Sequence, residues 1–314
     1  MLKREQTSII TFYGISPIHA GAGSSTSVVD LPIQRERHTN WPHIQASSVK
    51  GAMRQHFRRF AEEKLEGNEK EAKEYINYIF GNDDVNDPNN PVIIKDNSGE
   101  DKRVPIAAGV LSVSDAKILA FPMRSSLAPF VHITCPAVLK RLENDLKFCA
   151  LDNLTFECAG LPAVIEDNAF ILKGDKNFKG KILLEDMVVN VQQNNNEENR
   201  SIVQPLGGLL NDVETLILVS DEVFNYCVSY CTEIQTQIKI DTKTGTTLDG
   251  SLRYQELLPS DTLLYSVVYF SASAFDTVLQ AETVQKTVKN SIAGFMQIGG
   301  DETMGRGICK IAWY

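Results

Sequence analysis

The chain has 314 residues, of which 43% are hydrophobic and 23% are charged, as is typical of a folded protein with a substantial core. Its 40 acidic and 31 basic residues give a net charge of −9, which argues against a protein that coats DNA regardless of sequence. No apolar run approaches the ~18–20 residues of a membrane span, and the amino terminus lacks the apolar core and cleavage site of a signal peptide. We therefore expect a cytoplasmic protein without a membrane partner.

The predicted elements alternate between strands and helices. β-Branched and aromatic residues predict a first strand over 8–18, and apolar residues three and four apart predict a helix that Ser47 or Ser48 caps. The later patterns predict helices over 70–79, 136–149, 221–231 and 275–295, strands over 109–122, 233–241, 262–273 and 308–313, and polar loops over 81–103, 192–200 and 242–253.

This order of elements favours an α+β sheet with helices on one face, elaborated by insertions. No repeat of 20–50 residues is visible, and no proline- or serine-rich linker divides the chain. We therefore expect a single domain over 1–314 with protruding loops. Among these loops, the charged and turn-forming segment over 81–103 is expected to be mobile.

Residues 19–59 differ in charge from the rest of the chain. Between residues 35 and 59 a single acid, Glu36, stands against six basic residues, and four of the five histidines lie in 19–59. A basic cluster in an acidic protein is typical of a polyanion site, with RNA or DNA as the first candidate. The six basic residues are Arg35, Arg37, Lys50, Arg54, Arg58 and Arg59.

The start of the helix near Ser48 is a candidate phosphate site, because backbone N–H groups and the positive end of the helix dipole lie there. Lys50 in the first turn and Arg54 four residues later share a face, so both could reach one anion. The alternative is an ordinary capped helix with a solvated basic face.

The segment GGDETMGRG over 299–307 holds four glycines in nine residues, which permits positive φ and a close approach of the backbone to a ligand. It fits neither the dinucleotide-binding fingerprint nor the P-loop. Two interpretations stay open: a loop that contacts phosphate, with Arg306 as a side-chain partner, and a plain tight turn.

Asp30 is an isolated carboxylate, since no other acid lies between Glu5 and Glu36. It could be a cap or an ion-pair partner, a general base for a ribose 2′-hydroxyl, or the ligand of one divalent ion. No second carboxylate lies at a helical or D-x-D spacing, so a locally built two-metal nuclease is not supported. His19 is the other nearby candidate for proton transfer, with structural hydrogen bonding as its alternative.

The six cysteines form no C-x-x-C pair. Cys227 and Cys231 are four apart, but no matching pair completes a zinc site. We interpret the cysteines as buried thiols and assign them no metal.

Taken together, these segments resemble the RAMP superfamily of CRISPR-associated proteins. Within it they are most similar to the Cas-seven-type backbone subunits of the type III-B (Cmr) effector complex, the family of its fourth subunit. The matching motifs run in the family's order: HAGAG at 19–23, VDLPIQRERHTNWP at 29–42, SSVKGAMR at 47–54, DAKILAFPMRS at 115–125, TCPAVLKR at 134–141, YQELLPSDT at 254–262 and IGGDETMGRG at 298–307.

The resemblance implies a ferredoxin-like (RRM-type) core with helical insertions, arranged as a palm, fingers and a protruding thumb hairpin near 240–258. Several copies would stack into a helical filament along one CRISPR RNA, together with other Cmr subunits. Each thumb would wedge into the guide–target duplex and flip out a nucleotide at a regular interval. Each copy would then cut the single-stranded target RNA, once paired to the guide, beside that kink.

The resemblance also implies roles for individual residues. Within an active-site loop over 19–46, the family's cleavage aspartate matches Asp30, and the histidine of its HAG motif matches His19 as an auxiliary candidate. A divalent ion, Mg²⁺ or Mn²⁺, is expected at Asp30, and no organic cofactor is expected. Attack by a 2′-hydroxyl would leave a 2′,3′-cyclic phosphate and a 5′-hydroxyl. The residues expected to bind RNA are Ser48, Lys50, Arg54, Arg35, Arg37, Arg58, Gly305, Arg306 and Gly307.

Two other functions remain open from the sequence. One is a structural, non-catalytic backbone that binds the guide RNA. The other is a metal-independent ribonuclease that processes precursor guide RNA. The polar insert over 192–200 has no family counterpart, so its role stays open.

Overall fold

The computed structural model describes ten stretches of the chain, and for 70, 71, 92–95 and 101–104 it describes the backbone alone. The ten stretches are residues 6–26, 28–64, 69–82, 92–95, 101–104, 109–151, 154–175, 178–192, 203–271 and 280–314.

In this described part the chain forms a mixed α+β structure, as the sequence predicts. The α-helices are α1 (Ala46–Lys64), α2 (Glu69–Phe80), α3 (Pro136–Cys149), α4 (Asp221–Tyr230) and α5 (Ala281–Ser291). The strands are β1 (Thr7–Gly14), β2 (His43–Ile44), β3 (Val92–Lys95), β4 (Asp101–Val104), β5 (Leu111–Val113), β6 (Ala116–Arg124), β7 (Phe130–Thr134), β8 (Asn168–Lys173), β9 (Gly180–Leu184), β10 (Met187–Val191), β11 (Leu216–Leu218), β12 (Glu233–Gln237), β13 (Arg253–Leu257), β14 (Leu263–Phe270), β15 (Gly294–Gln297) and β16 (Ile308–Trp313).

One large sheet organises the fold. Its main path runs β15-β16-β1-β14-β6-β7-β11-β8-β10-β9, with β2 paired to β6 and β5 paired to β14. Most neighbours are antiparallel, and the two parallel pairs are β7 with β11 and β8 with β10. The central strands β1 and β14 are buried at nearly every position, which is typical of strands covered on both faces.

The helix α1 packs on this sheet through one apolar face, as its periodicity predicts. Val49, Met53 and Phe57 are fully buried, and the ring of Phe57 contacts those of neighbouring aromatic side chains from α1 and α2. The prediction of a serine cap is wrong, because the helix begins at Ala46 and both serines lie inside it. The N–H of Ala46 instead donates to Asp115 Oδ1, 2.7 Å away, a long-range contact that local sequence does not reveal.

The other predicted elements are present with changes of length, whereas the strands β2, β7–β11 and β15 were not predicted, and β15 takes the last two residues of the predicted helix over 275–295. The first strand ends at Gly14, short of the predicted residue 18, because the N–H groups of Ile15 and Ser16 both bond the carbonyl of Ile308 and so leave the regular strand pattern. Within 81–103, predicted to be a loop, β3 pairs with β4, so the loop prediction missed a short hairpin. Some predicted segments lie outside the described residues. These are part of 81–103, residues 193–200 of the polar insert, and residues 272–279, which include the start of the predicted last helix.

A second hairpin, β12–β13, forms its own two-stranded sheet. Its register pairs Gln235 with Gln255, and an isolated bridge between Ile240 and Thr247 extends it toward an exposed tip. The base of the hairpin is joined to the chain that follows β1 by a bridge between Ile18 and Leu258. None of the helices in the described residues is long and apolar enough to cross a membrane.

Candidate functional site

One edge of β13 assembles the loop that contains Asp30. In an antiparallel pair the backbone groups of successive residues face alternate edges, and those of Tyr254 and Glu256 face away from β12. There the N–H of Leu31 donates to the carbonyl of Tyr254, and the N–H of Glu256 donates to the carbonyl of Leu31, each at 3.0 Å. The loop therefore runs beside β13 as a short parallel pairing.

The Asp30 carboxylate is fixed by this pairing. Its Oδ2 accepts a hydrogen bond of 2.7 Å from the backbone N–H of Tyr254, and its main-chain carbonyl accepts one of 2.8 Å from Ser25. The residue is half-buried, and Oδ1 accepts no hydrogen bond from any residue that the structure describes. One carboxylate oxygen thus orients the group and the other remains available for chemistry.

His19 is bound two residues further along the same edge. Its Nδ1 lies 2.8 Å from the carbonyl of Glu256. Since a carbonyl only accepts, Nδ1 carries the proton, and Nε2 of the neutral ring is an acceptor. A Cβ at Gly21 would lie 2.9 Å from this Nε2, so the glycine of the HAG sequence keeps that nitrogen uncovered. The Cα atoms of Tyr254 and Glu256, whose backbone groups hold Asp30 and His19, are about 6–7 Å apart along the strand.

The side chain of Glu256 joins the loop to the hairpin. It is buried and accepts from Arg35 Nη2 at 2.6 Å, the N–H of Ile33 at 3.0 Å and the hydroxyl of Thr232 at 2.8 Å. Arg35 donates further to the carbonyls of Asn40 and Val228. Arg35 was predicted to bind RNA. Its Nη1 and Nη2 groups donate instead to protein atoms, and these bonds hold the loop against β13.

Gln34 connects the same loop to the start of α1. Its Nε2 donates to the carbonyl of Gly21 at 3.1 Å and lies 3.4 Å from the hydroxyl of Ser48. Its Oε1 accepts from the N–H of Gln45 at 2.7 Å. Ser48 thus lies next to the loop that carries the candidate catalytic residues.

The turn after Arg35 contains an acid, Glu36, that is paired within the protein and a cation, Arg37, that is exposed to solvent. Glu36 accepts two hydrogen bonds from Arg141 and one from Thr39. Burial alone would raise the pKa of the Glu36 carboxyl, but these bonds outweigh it and lower the pKa. Arg37 is exposed and forms no ion pair within the described part of the chain, as expected of a residue that meets an external anion.

The basic face of α1 separates into two parts. Lys50 is half-buried, has no carboxylate partner among the described residues, and has its pKa lowered by burial and by the charge of Arg54. Arg54 donates to the carbonyl of Gly81 and to Asn77 Oδ1, both at 2.6 Å, and so holds α1 against the end of α2. Asp115 accepts from the N–H of Ala46, so this first N–H of the helix is not available to a phosphate. Arg58 is exposed.

The carboxy-terminal glycine loop, residues 298–307, lies directly against His19. The N–H of Gly300 donates to the carbonyl of His19, and that of Gly307 donates to the carbonyl of Pro17, each at 2.9 Å. Gly307 has φ of +70°, and a Cβ there would lie 1.9 Å from the carbonyl oxygen of Ile298. Gly305 also has positive φ, +72°, but open space around it. The structure thus brings this loop, predicted to contact RNA, beside the candidate catalytic loop.

Two residues of the glycine loop reach the hairpin. Arg306 donates through Nη2 to Gln235 Oε1, and Asp301 Oδ2 accepts from Gln255 Nε2 at 2.5 Å. The sequence predicted Arg306 but not its partner on β12. Gln34, Gln255, Glu256 and Asp301 were not predicted as site residues, although all four lie in motifs that carry the resemblance.

The donor set at Asp30 limits the kind of metal site that it can form. Among the described residues, no three His, Cys, Asp or Glu side chains come together as metal ligands. Mg²⁺ is often held by one or two carboxylates together with phosphate oxygens and water. Oδ1 of Asp30 therefore fits an ion that is shared with bound RNA and does not fit a metal site made of protein alone.

Comparison with known proteins identifies the family of this chain. The sequence profile of the RAMP superfamily matches residues 11–310. The chain is 34% identical over 310 residues to the "CRISPR system Cmr endoribonuclease Cmr4" of Pyrococcus furiosus, a match that covers 96% of this chain and 94% of that protein. It is 24% identical over 334 residues to the "CRISPR system CMR subunit Cmr4" of Saccharolobus solfataricus, covering 95% and 94%.

Solved structures share the fold. The crystal structure of oligomeric Cmr4 from Pyrococcus furiosus superposes with a TM-score of 0.65 at 26% identity, covering 98% of this chain and 97% of that one. A chain of the type III-B Cmr-beta complex bound to cognate target RNA gives a TM-score of 0.71 at 22% identity, covering 98% and 96%. The profile match and the long alignment together place this chain in the RAMP superfamily, within the family of the Cmr4 proteins.

Proposed function

We propose that this protein is a repeated backbone subunit of a type III-B CRISPR effector complex, and that it binds the CRISPR RNA and cuts complementary target RNA at regular intervals. The observation that carries the catalytic part is the position of Asp30. Its carboxylate is oriented by the N–H of Tyr254 at the base of a protruding hairpin, with one oxygen available. The relative from Pyrococcus furiosus, named an endoribonuclease, supports the same activity here.

The proposed reaction is an attack of a ribose 2′-hydroxyl on the adjacent phosphorus. A nucleotide displaced from A-form pairing can place this hydroxyl in line with the phosphorus, and such alignment can supply much of the rate acceleration. Asp30 Oδ1 accepts the proton of the 2′-hydroxyl as the new oxygen–phosphorus bond forms. The bond from phosphorus to the 5′ oxygen breaks, and that oxygen takes a proton from water. The products carry a 2′,3′-cyclic phosphate and a 5′-hydroxyl.

His19 has an auxiliary part in this proposal. Its protonated Nδ1 is held by Glu256, so Nε2 can accept a hydrogen bond from the 2′-hydroxyl or a nearby water and orient it. As the alternative to its role as a base, Asp30 would hold a divalent ion, Mg²⁺ or Mn²⁺, which would supply charge stabilisation to the phosphate. No organic cofactor is proposed.

The architecture assigned to this function follows the family. We take the large sheet as a ferredoxin-like palm and the β12–β13 hairpin as the thumb that displaces the nucleotide. Copies of the chain would stack along one guide in a helical filament with other Cmr subunits, in the cytoplasm. Lys50, Arg37 and Arg58 are the cations best placed to meet phosphates, since Arg35 and Arg54 already donate to protein atoms.

A second candidate function is a structural backbone that binds guide RNA but does not cut. The bond from Tyr254 to Asp30 is equally compatible with this function, because a carboxylate that only stabilises a loop would make the same contact. Mapping of target fragments and their end groups from the assembled complex separates the two. The proposal expects cuts at regular intervals with 2′,3′-cyclic phosphate ends, and an intact target would contradict it. Cleavage of precursor guide RNA by the isolated chain would support the third, guide-processing function instead.

A further inference from the structure

The side chains on one face of the β12–β13 hairpin form a continuous chain of hydrogen bonds. Arg253 Nε donates to Gln237 Oε1 at 3.0 Å, and Gln237 Nε2 donates to Gln255 Oε1. Gln255 Nε2 in turn donates to Asp301 Oδ2 at 2.5 Å in the glycine loop. Polar groups in such a chain fix each other's positions, and breaking one link leaves its neighbour unsatisfied.

Gln255 is the central member of this chain. Its side chain is only 2% exposed, so each of its polar atoms requires a protein partner. Its backbone lies between the two neighbours on β13, Tyr254 and Glu256, that hold Asp30 and His19. A shift of Gln255 would therefore displace the donor that orients the Asp30 carboxylate.

Asp301 is held firmly at the other end of the link. It has a left-handed backbone, with φ of +61°, and its carbonyl accepts from the N–H groups of Met304 and Arg306. The loop around it is fixed to the chain that follows β1, because Gly300 donates to the carbonyl of His19 and Gly307 to that of Pro17. The glycine loop is thus a rigid platform, and Asp301 is its contact with β13.

From these contacts we infer that Asp301 and Gln255 are positioning residues, which hold the glycine loop and the hairpin in one fixed register. The inference rests on the proposed function, in which the glycine loop contacts guide RNA and Asp30 cuts the target. The pair then sets which phosphodiester lies opposite Asp30 when the guide is bound. Loss of the pair lets the hairpin base shift, so that cutting becomes slower and less exact in position.

The test uses the assembled complex with guide RNA and compares three variants at Asp301 and its neighbour. Asp301→Ala removes the acceptor, whereas Asp301→Asn keeps a carbonyl oxygen for Gln255 Nε2. Glu302→Ala removes the same charge from an exposed position in the same loop and is the matched control. Each variant is tested for guide binding, for the rate of target cleavage, and for the position of every cut.

We expect Asp301→Ala to retain guide binding, to cut about 10- to 100-fold more slowly, and to spread its cuts over neighbouring phosphodiesters. Asp301→Asn and Glu302→Ala should cut near the wild-type rate at the wild-type positions. A general loss of stability would lower the active fraction but leave the cut positions unchanged, and that result would overturn the inference. If the wild-type complex itself does not cut, the proposed function fails, which is a separate outcome.

Discussion

The Asp30 carboxylate and the backbone N–H of Tyr254 are joined by a 2.7 Å hydrogen bond although 224 residues separate them in the chain. This bond couples the loop after β1 to the base of the β12–β13 hairpin. A movement of the hairpin therefore changes the orientation of the carboxylate. The carboxylate proposed to deprotonate the 2′-hydroxyl is therefore bonded to a strand of the hairpin that is proposed to displace the nucleotide.

The buried ion pair between Arg35 and Glu256 should dominate the stability of this region. Glu256→Ala leaves Arg35 buried without its charge partner, so we expect the free energy of unfolding to fall by about 3–5 kcal/mol. Urea denaturation of the isolated chain measures it. The double variant Arg35→Ala with Glu256→Ala should lose less than the sum of the single changes, because no charge is left unpaired. Additive losses would contradict this role for the pair.

Two glycines of the carboxy-terminal loop should differ in their tolerance of alanine. Both have positive φ, but a Cβ at Gly307 would overlap the carbonyl of Ile298, whereas a Cβ at Gly305 meets open space. Gly305→Ala should cost about 1 kcal/mol of unfolding free energy, the ordinary cost of the left-handed conformation. Gly307→Ala should cost several times more, or prevent folding. Urea denaturation of both variants gives the comparison, and equal losses would show that the loop adjusts to the added methyl group.

Lys50 and Arg54 should have separate effects, although they share a helix face. Lys50→Gln should weaken guide binding equally for unrelated guide sequences and reduce the salt slope by about 1, as expected for one lost phosphate contact. Arg54→Gln should mainly lower stability, because it removes the bonds to Asn77 and Gly81. Binding titrations at several salt concentrations, together with urea denaturation, measure both effects. Sequence-dependent binding by Lys50→Gln would count against a backbone contact.

The exposed tip of the hairpin should be dispensable for folding but not for regular cutting. The paired base must be kept, since Gln255 and Leu257 are buried, so the change replaces 239–251 by Asn-Gly. The unfolding free energy of the isolated chain should change little, because shorter loops cost less entropy to close. In the assembled complex the regular interval between cuts should be blurred or lost. Cuts that keep their interval would refute the role of the tip in displacing nucleotides.

Much of this structure follows from local sequence patterns, whereas features that depend on contacts between distant segments do not. The apolar spacing of Val49, Met53 and Phe57 predicts the buried face of α1, and the boundaries predicted for α3 agree with the structure. The predicted cap of α1 is wrong because the group that accepts from the first N–H of the helix, Asp115, lies 69 residues away in the chain. No periodicity reports such a contact.

The residues of the candidate site also divide into those that the sequence predicts and those that it does not. Asp30 and His19 could be named from their isolation and from the family resemblance. Glu256, Gln255 and Asp301 could not, since a buried polar side chain is identified by the partners that satisfy it, and those partners come from distant segments. For the same reason the sequence could not separate Arg35 and Arg54, which bond protein atoms, from Arg37 and Arg58, which are exposed.

The most direct test of the account is the rate of target cleavage by complexes that contain Asp30→Asn or Asp30→Ala. Asparagine keeps an oxygen to accept from the N–H of Tyr254 but cannot take a proton, so it separates catalysis from loop structure. We predict that both complexes bind guide and target as the wild type does and that single-turnover cleavage falls about 100- to 10,000-fold. Wild-type cleavage by Asp30→Asn, at the same positions and with the same ends, would contradict the catalytic role of Asp30.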